Sequence, residues 1–174
     1  MYVEMSVQTI SLKNIKMDPA LRSEILNNIV SGDPSKCVQC GICTSGCPLG
    51  YIIKPHRIVK MVNLGLVEQL ISSREIWLCT TCFTCSERCP QEVDPANILF
   101  TLRNTASKLG YVPRELVEIC MNIVKDGRII KISAGREKER EKLGLPKAPP
   151  VDAEKIRKML EEVGFLKIIG GTVK

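Results

Sequence analysis

The sequence predicts a mainly α-helical fold on three observations. Apolar residues recur at three- and four-residue intervals along most of the chain. Pro, Asp-Pro and Gly stand where those periodic segments should start and stop. The 31 residues between Cys47 and Cys79, long enough for strand alternation to show, have helical spacing instead.

Taken in order, residues 1–12 are irregular apart from a short strand expected around Val7 to Leu12. Asp18-Pro19 supplies an N-cap and a first helical residue. Leu21, Ile25, Leu26 and Ile29 then give the stripe of a helix that stops near Gly32. Residues 55–78 read as helices broken near Asn63 to Gly65 and opened by Pro55. Pro95 opens another helix, in which Ile98, Leu99 and Leu102 align with Ile58, Val59 and Val62 of the earlier one. After Gly110, Pro113 starts a helix with Leu116, Ile119, Cys120, Ile123 and Val124 facing inward and Gly127 as its stop.

The charge run Arg136 to Lys142 and the stretch LPKAPP read as a solvated turn of helix and an extended linker. Asp152 caps a last helix carrying Ile156, Met159, Leu160 and Val163. The apolar tail FLKIIGGTVK is left to fold back on the core, or to supply a strand or anchor to another protein of a complex. The domain reading is an N-terminal extension at 1–17, a central domain at 18–112 and a helical extension at 113–174 that contacts another subunit.

Eight of the nine cysteines carry the chemistry. Cys37, Cys40, Cys43 and Cys47, with Pro48, match Cys79, Cys82, Cys85 and Cys89, with Pro90, at a constant offset of 42 residues. Cys120 stands alone on a helical stripe and reads as a small apolar residue. Disulfides fit poorly, because cysteines two or three residues apart are badly placed to pair with each other. The N-terminus also lacks the basic start and apolar stretch of a secretory signal, so a reducing cytoplasm is expected. A structural zinc ion would need only four ligands from simpler pairs.

The repeated pattern C-x2-C-x2-C-x3-C-P is the run that wraps three irons of a cubane and sends its fourth thiolate to a second cluster. The expected cofactors are therefore two [4Fe–4S] clusters with crossed ligands. Cys37, Cys40, Cys43 and Cys89 are assigned to the first, and Cys79, Cys82, Cys85 and Cys47 to the second. Gly41, Thr44, Ser45 and Gly46 in one loop, and Thr80, Thr81, Thr84 and Ser86 in the other, either bring donors to cluster sulfur or merely fit tight turns.

Other residues signal less. His56 reads as a surface or cap residue rather than one that tunes a cluster, and Trp77 as a hydrophobic shield. Lys54, Arg57, Arg88 and Arg103 form either a basic docking face or ordinary solvated charge. The formal charge of +6 counts every cysteine as neutral. Two cubanes at about −2 each bring the total to about +2, so the basic reading that would suggest nucleic acid largely dissolves. Aromatic residues make up only 4%, too few for base-stacking surfaces. No apolar run approaches the roughly 20 residues of a membrane span. Neither a dinucleotide nor a nucleoside-triphosphate loop occurs, and one histidine leaves little for acid–base catalysis, so no catalytic residue is assigned.

The N-terminal helix, the run CVQCGICTSGCP, the helical spacer and the run IWLCTTCFTCSERCPQEVDP resemble HdrC, the small iron–sulfur component of the CoB–CoM heterodisulfide reductases, over residues 18–113. The resemblance implies an α-helical ferredoxin module, in contrast to compact bacterial ferredoxins that join their two runs through β structure. It further implies a non-catalytic electron-transfer subunit of an oxidoreductase complex, in a methanogenic setting. Electrons would pass from an HdrA-like flavoprotein to an HdrB-like CCG-domain subunit that cleaves the disulfide. Sulfur-oxidising Hdr-like complexes and anaerobic dehydrogenases use similar modules and are the alternative. A stand-alone redox sensor or nucleic-acid-binding protein is the rival from another class.

Overall fold

A computed structural model describes residues 17–172. The strand expected around Val7 to Leu12 lies outside them. The described residues are helical throughout their regular structure and contain no strand. The chain forms two compact units, Met1–Thr105 and Ala106–Lys174.

In the first unit, α1 (Pro19–Asn27) begins as the sequence reads, with the Asp18 side chain accepting from the Leu21 N–H. It buries Ile25 completely. Two longer helices follow the cysteine runs: α3 (Pro55–Asn63) and α6 (Pro95–Lys108), each with proline as its first residue. The break expected near Asn63 to Gly65 is present, and α4 (Val67–Ile71) and a 3-10 turn (Glu75–Leu78) fill the rest of the spacer. Ile58, Val59 and Val62 of α3, Val67, Leu70 and Ile71 of α4, and Ile98, Leu99 and Leu102 of α6 form the core with Ile25, Ile53 and Ile76. Each such side chain contributes about 1.5–3 kcal/mol by leaving water. Polar ties fix the approach to the first cysteine run: the Asn63 amide donates to the Pro34 carbonyl at 2.7 Å, and Arg22 Nε to the Val62 carbonyl at 3.3 Å.

Asp94 is the main polar crosslink of this unit and was not singled out from the sequence. Its carboxylate accepts from Ser31, from Ser86 at 2.5 Å and from the Asn97 side chain, and its Oδ1 also faces the Asn97 N–H at 3.4 Å. It therefore joins the segment before the first run, the helical turn inside the second run and the start of α6. Burial raises its pKa, but the hydrogen bonds from Ser31, Ser86 and Asn97 outweigh that and hold it below the ordinary value. A depressed carboxylate stabilises the fold fully above its unfolded pKa of about 3.9, and that contribution is lost only as pH falls through the lower folded value. Asp94→Ala should therefore cost about 1–3 kcal/mol in denaturant unfolding, with the same difference from wild type at pH 5 and at pH 8.

The second unit contains the end of α6, then α7 (Arg114–Asp126), α8 (Ala134–Lys142), α9 (Ala153–Glu162) and α10 (Phe165–Thr172). Pro113 caps α7 rather than opening it, and Gly127 ends it at φ +64°. Ile119, read from the sequence as inward, is 36% exposed, whereas Cys120 is half-buried and burial pushes its thiol pKa up. The charge run forms a nine-residue helix, not a single turn, because Ser133 caps it and Glu, Lys and Arg are strong helix formers. The tail is helix, not strand: Gly164, at φ +74°, breaks the chain after α9, and α10 then packs on α7 and α9 and buries Ile169.

Candidate metal centres

The two cysteine runs fold alike. Each contains a single helical turn, α2 (Ile42–Ser45) in the first and α5 (Thr84–Glu87) in the second. Positive φ occurs at matched positions of the repeat: Gln39 at 60° and Gly41 at 79°, Thr81 at 55° and Phe83 at 59°. These left-handed residues curl the chain around the space between its thiols. Phe83 adopts a conformation costing about 1–2 kcal/mol for a residue with a Cβ. Its ring packs on Phe100 with centroids 5.7 Å apart, which offsets that cost.

Two cavities result. Cys37, Cys40, Cys43 and Cys89 line the first, of about 340 Å³ including its open mouth, together with Gln39, His56 and Val59. Cys47, Cys79, Cys82 and Cys85 line the second, of about 370 Å³, with Leu49, Ile53, Phe83 and Leu99. Each cavity thus takes three thiols from one run and the fourth from the other. Among the described residues no three His, Cys, Asp or Glu side chains converge on one point as a single metal ion requires. Four thiols spread around such a space suit a group of several atoms, and an all-thiolate donor set is what an iron–sulfur cubane takes.

The cavities meet where Cys43, Cys85 and Ala96 pack in one buried cluster. Burial there raises both thiol pKa values, that of Cys85 to about 11, and the neighbouring thiols add to the effect. The exposed Cys82 behaves oppositely, held low by hydrogen bonds from Thr84. Helices α3 and α6 begin at the cavity walls, with His56 at the first cavity and Pro55 and Ala96 at the second. Their positive dipole ends favour an anionic group in the neighbouring cavity.

Side chains around the first cavity carry more of the chemistry than the sequence suggests. His56 lines it, contrary to its reading as a surface or cap residue, because Pro55 starts α3 at the cavity edge. Its Nδ1 is 2.6 Å from the Thr44 hydroxyl, which also hydrogen-bonds Cys43. The Gln39 amide donates to Cys37 Sγ and to the His56 carbonyl, both at 3.0 Å, and the Val93 N–H donates to Cys89 Sγ at 3.4 Å. Gln39 was missed, although its place between two cysteines marks it. Ser45 and Thr81 satisfy nearby backbone carbonyls instead of cysteine sulfur. Ser86 serves both Asp94 and Cys85.

The four residues of the candidate basic face do not share one environment. Lys54, Arg57 and Arg88 are exposed, and Arg88 lies across Gly46, but Arg103 is half-buried beneath the second run. Trp77 lies beside Arg103 and does not line either cavity.

Residues 36–94 match the family model of a 4Fe-4S dicluster domain. Across the longer chain, the iron–sulfur C subunit of the CoB–CoM heterodisulfide reductase of Methanopyrus kandleri is 35% identical over 142 residues, covering 77% of this chain and 74% of that one. The C subunit of the H2:CoB-CoM heterodisulfide,ferredoxin reductase of Methanothermobacter marburgensis is 33% identical over 77% of both chains. The C subunit of the ferredoxin:CoB-CoM heterodisulfide reductase of Methanosarcina mazei is 31% identical over 82% of this chain and 86% of that one.

Proposed function

The chain belongs to the HdrC family, the iron–sulfur C subunits of the CoB–CoM heterodisulfide reductases, and from that premise we propose that it relays electrons from an HdrA-like flavoprotein to an HdrB-like CCG-domain subunit, which reduces the disulfide. The observation that carries the relay is the sorting of eight thiols into two quartets that adjoin at Cys43, Cys85 and Ala96. We assign one [4Fe–4S] cluster to Cys37, Cys40, Cys43 and Cys89 and the other to Cys47, Cys79, Cys82 and Cys85. When bound, each supplies a one-electron site. The chain's own part is to hold the quartets, to aim donors such as Gln39 at thiolate sulfur and to keep the junction dry. No residue is assigned to bond making or breaking.

Residues 113–174 are proposed as the surface that meets the other proteins of the complex. Ile129, Ile130, Leu143, Met159 and Val163 are each more than half exposed there, an unusual amount of bare apolar surface for so short a segment. No helix among the described residues is long and apolar enough to cross a membrane.

Anaerobic co-expression with HdrA-like and HdrB-like partners should yield one complex in which the reduced flavoprotein bleaches this chain's visible absorption. A chain that stays apart from both partners and binds duplex DNA in a salt-sensitive manner would overturn the assignment.

A further inference from the structure

Among the described residues, Arg103 is a half-buried cation that forms no ion pair. On α6, it donates through Nε to the Ile76 carbonyl at 2.7 Å and through Nη2 to the Cys79 carbonyl at 2.6 Å. Its Cζ stands 6.0 Å from the centre of the Trp77 ring. Both carbonyls belong to the turn that leads into the second cysteine run. They hold the guanidinium in place without cancelling its charge. Among the described residues, no carboxylate forms an ion pair with it. Taking an unpaired cation partly out of water is costly. Burial pushes the guanidinium pKa below its ordinary value, and the Cys79 thiolate opposes that without reversing it. The described residues leave this charge short of an acidic partner and fix it beside the second thiol quartet, one of the two places where the proposed function puts a negative group.

Resting on that function, we infer that Arg103 is the fixed counter-cation of the cluster held by Cys47, Cys79, Cys82 and Cys85, and that it raises that cluster's reduction potential. Reduction adds one electron and makes the cluster one charge more negative. A cation locked nearby stabilises the reduced form more than the oxidised one. The first quartet is served differently, by the Gln39 amide, the Thr44 hydroxyl and the His56 ring. Arg103 thus acts on one cluster and biases the shared electron toward it. It is a positioning residue for charge, acting through space and through the Cys79 backbone.

The test is an EPR-monitored redox titration of the iron-loaded full chain as wild type, Arg103→Gln and Arg103→Lys. The Gln variant should lower one of the two potentials by at least about 59 mV, a tenfold change in a one-electron equilibrium, and leave the other in place. The Lys variant should titrate close to wild type. In a Cys47→Ala background, which should keep only the first cluster, the Gln substitution should move nothing. Full iron content with both potentials unmoved in the Gln variant overturns the inference. So does a Lys variant that shifts as far as the Gln variant. If the Gln variant fails to hold the second cluster, the Lys variant decides: retention at the wild-type potential supports the role of charge, and loss overturns it. A wild-type chain holding four irons or fewer overturns the two-cluster reading and this inference together.

Discussion

Replacing Cys47 by alanine is expected to remove the cluster whose other three ligands lie in the opposite run, at Cys79, Cys82 and Cys85. Iron should fall from about eight to about four per chain, and the surviving signal should be that of the cluster on Cys37, Cys40, Cys43 and Cys89. Cys89→Ala should give the complementary loss. The expectation is large because a cubane left with three thiolates is readily lost, and it is specific because Cys47 and Cys89 line opposite cavities. Each variant removes the cluster remote from it in sequence. If Cys47→Ala instead destroyed the cluster of its own run and spared the other, the crossed assignment would be wrong. Iron analysis and EPR of the two variants side by side separate these outcomes.

The second large effect is expected at Gly32. Its φ of +85° is one that residues with a Cβ rarely adopt, and a Cβ placed there would stand 2.2 Å from the Val93 carbonyl oxygen and 2.6 Å from the Asp94 Cβ. Backbone oxygen cannot swing aside as a side-chain tip can. The strained conformation costs about 1–2 kcal/mol and the overlap roughly 1–3 more, so Gly32→Ala should destabilise the chain by about 2–5 kcal/mol. The damage should also reach the first cluster, because the chain at Val93 donates to Cys89 Sγ. Denaturant unfolding and cluster half-life in air measure both effects. A Gly32→Ala chain as stable as wild type would show that the segment before the first run is free to move away from Val93.

Much of this structure was legible because its signals are local. Asp18-Pro19, Pro55 and Pro95 mark helix starts through one side chain or one fixed φ, and the cysteine spacing is a pattern within eleven residues that repeats. Asp94 precedes Pro95 just as Asp18 precedes Pro19, so its capping of α6 was available to the same logic, although its reach to Ser31 was not. His56 and Arg103 were misplaced for a different reason. Whether a polar residue at the start or middle of a helix faces water or a cavity depends on how that helix packs, and the sequence pattern around each is the same in both cases. The tail was ambiguous because FLKII is a short apolar run, which periodicity alone cannot divide between strand and helix. Its helical form depends on packing against α7 and α9.

The central claim is that the two thiol quartets hold two cubanes. Iron, zinc and acid-labile sulfide measured together on the anaerobically purified full chain test it most directly. About eight irons and eight sulfides per chain are expected; four irons, or zinc in place of iron, would contradict it.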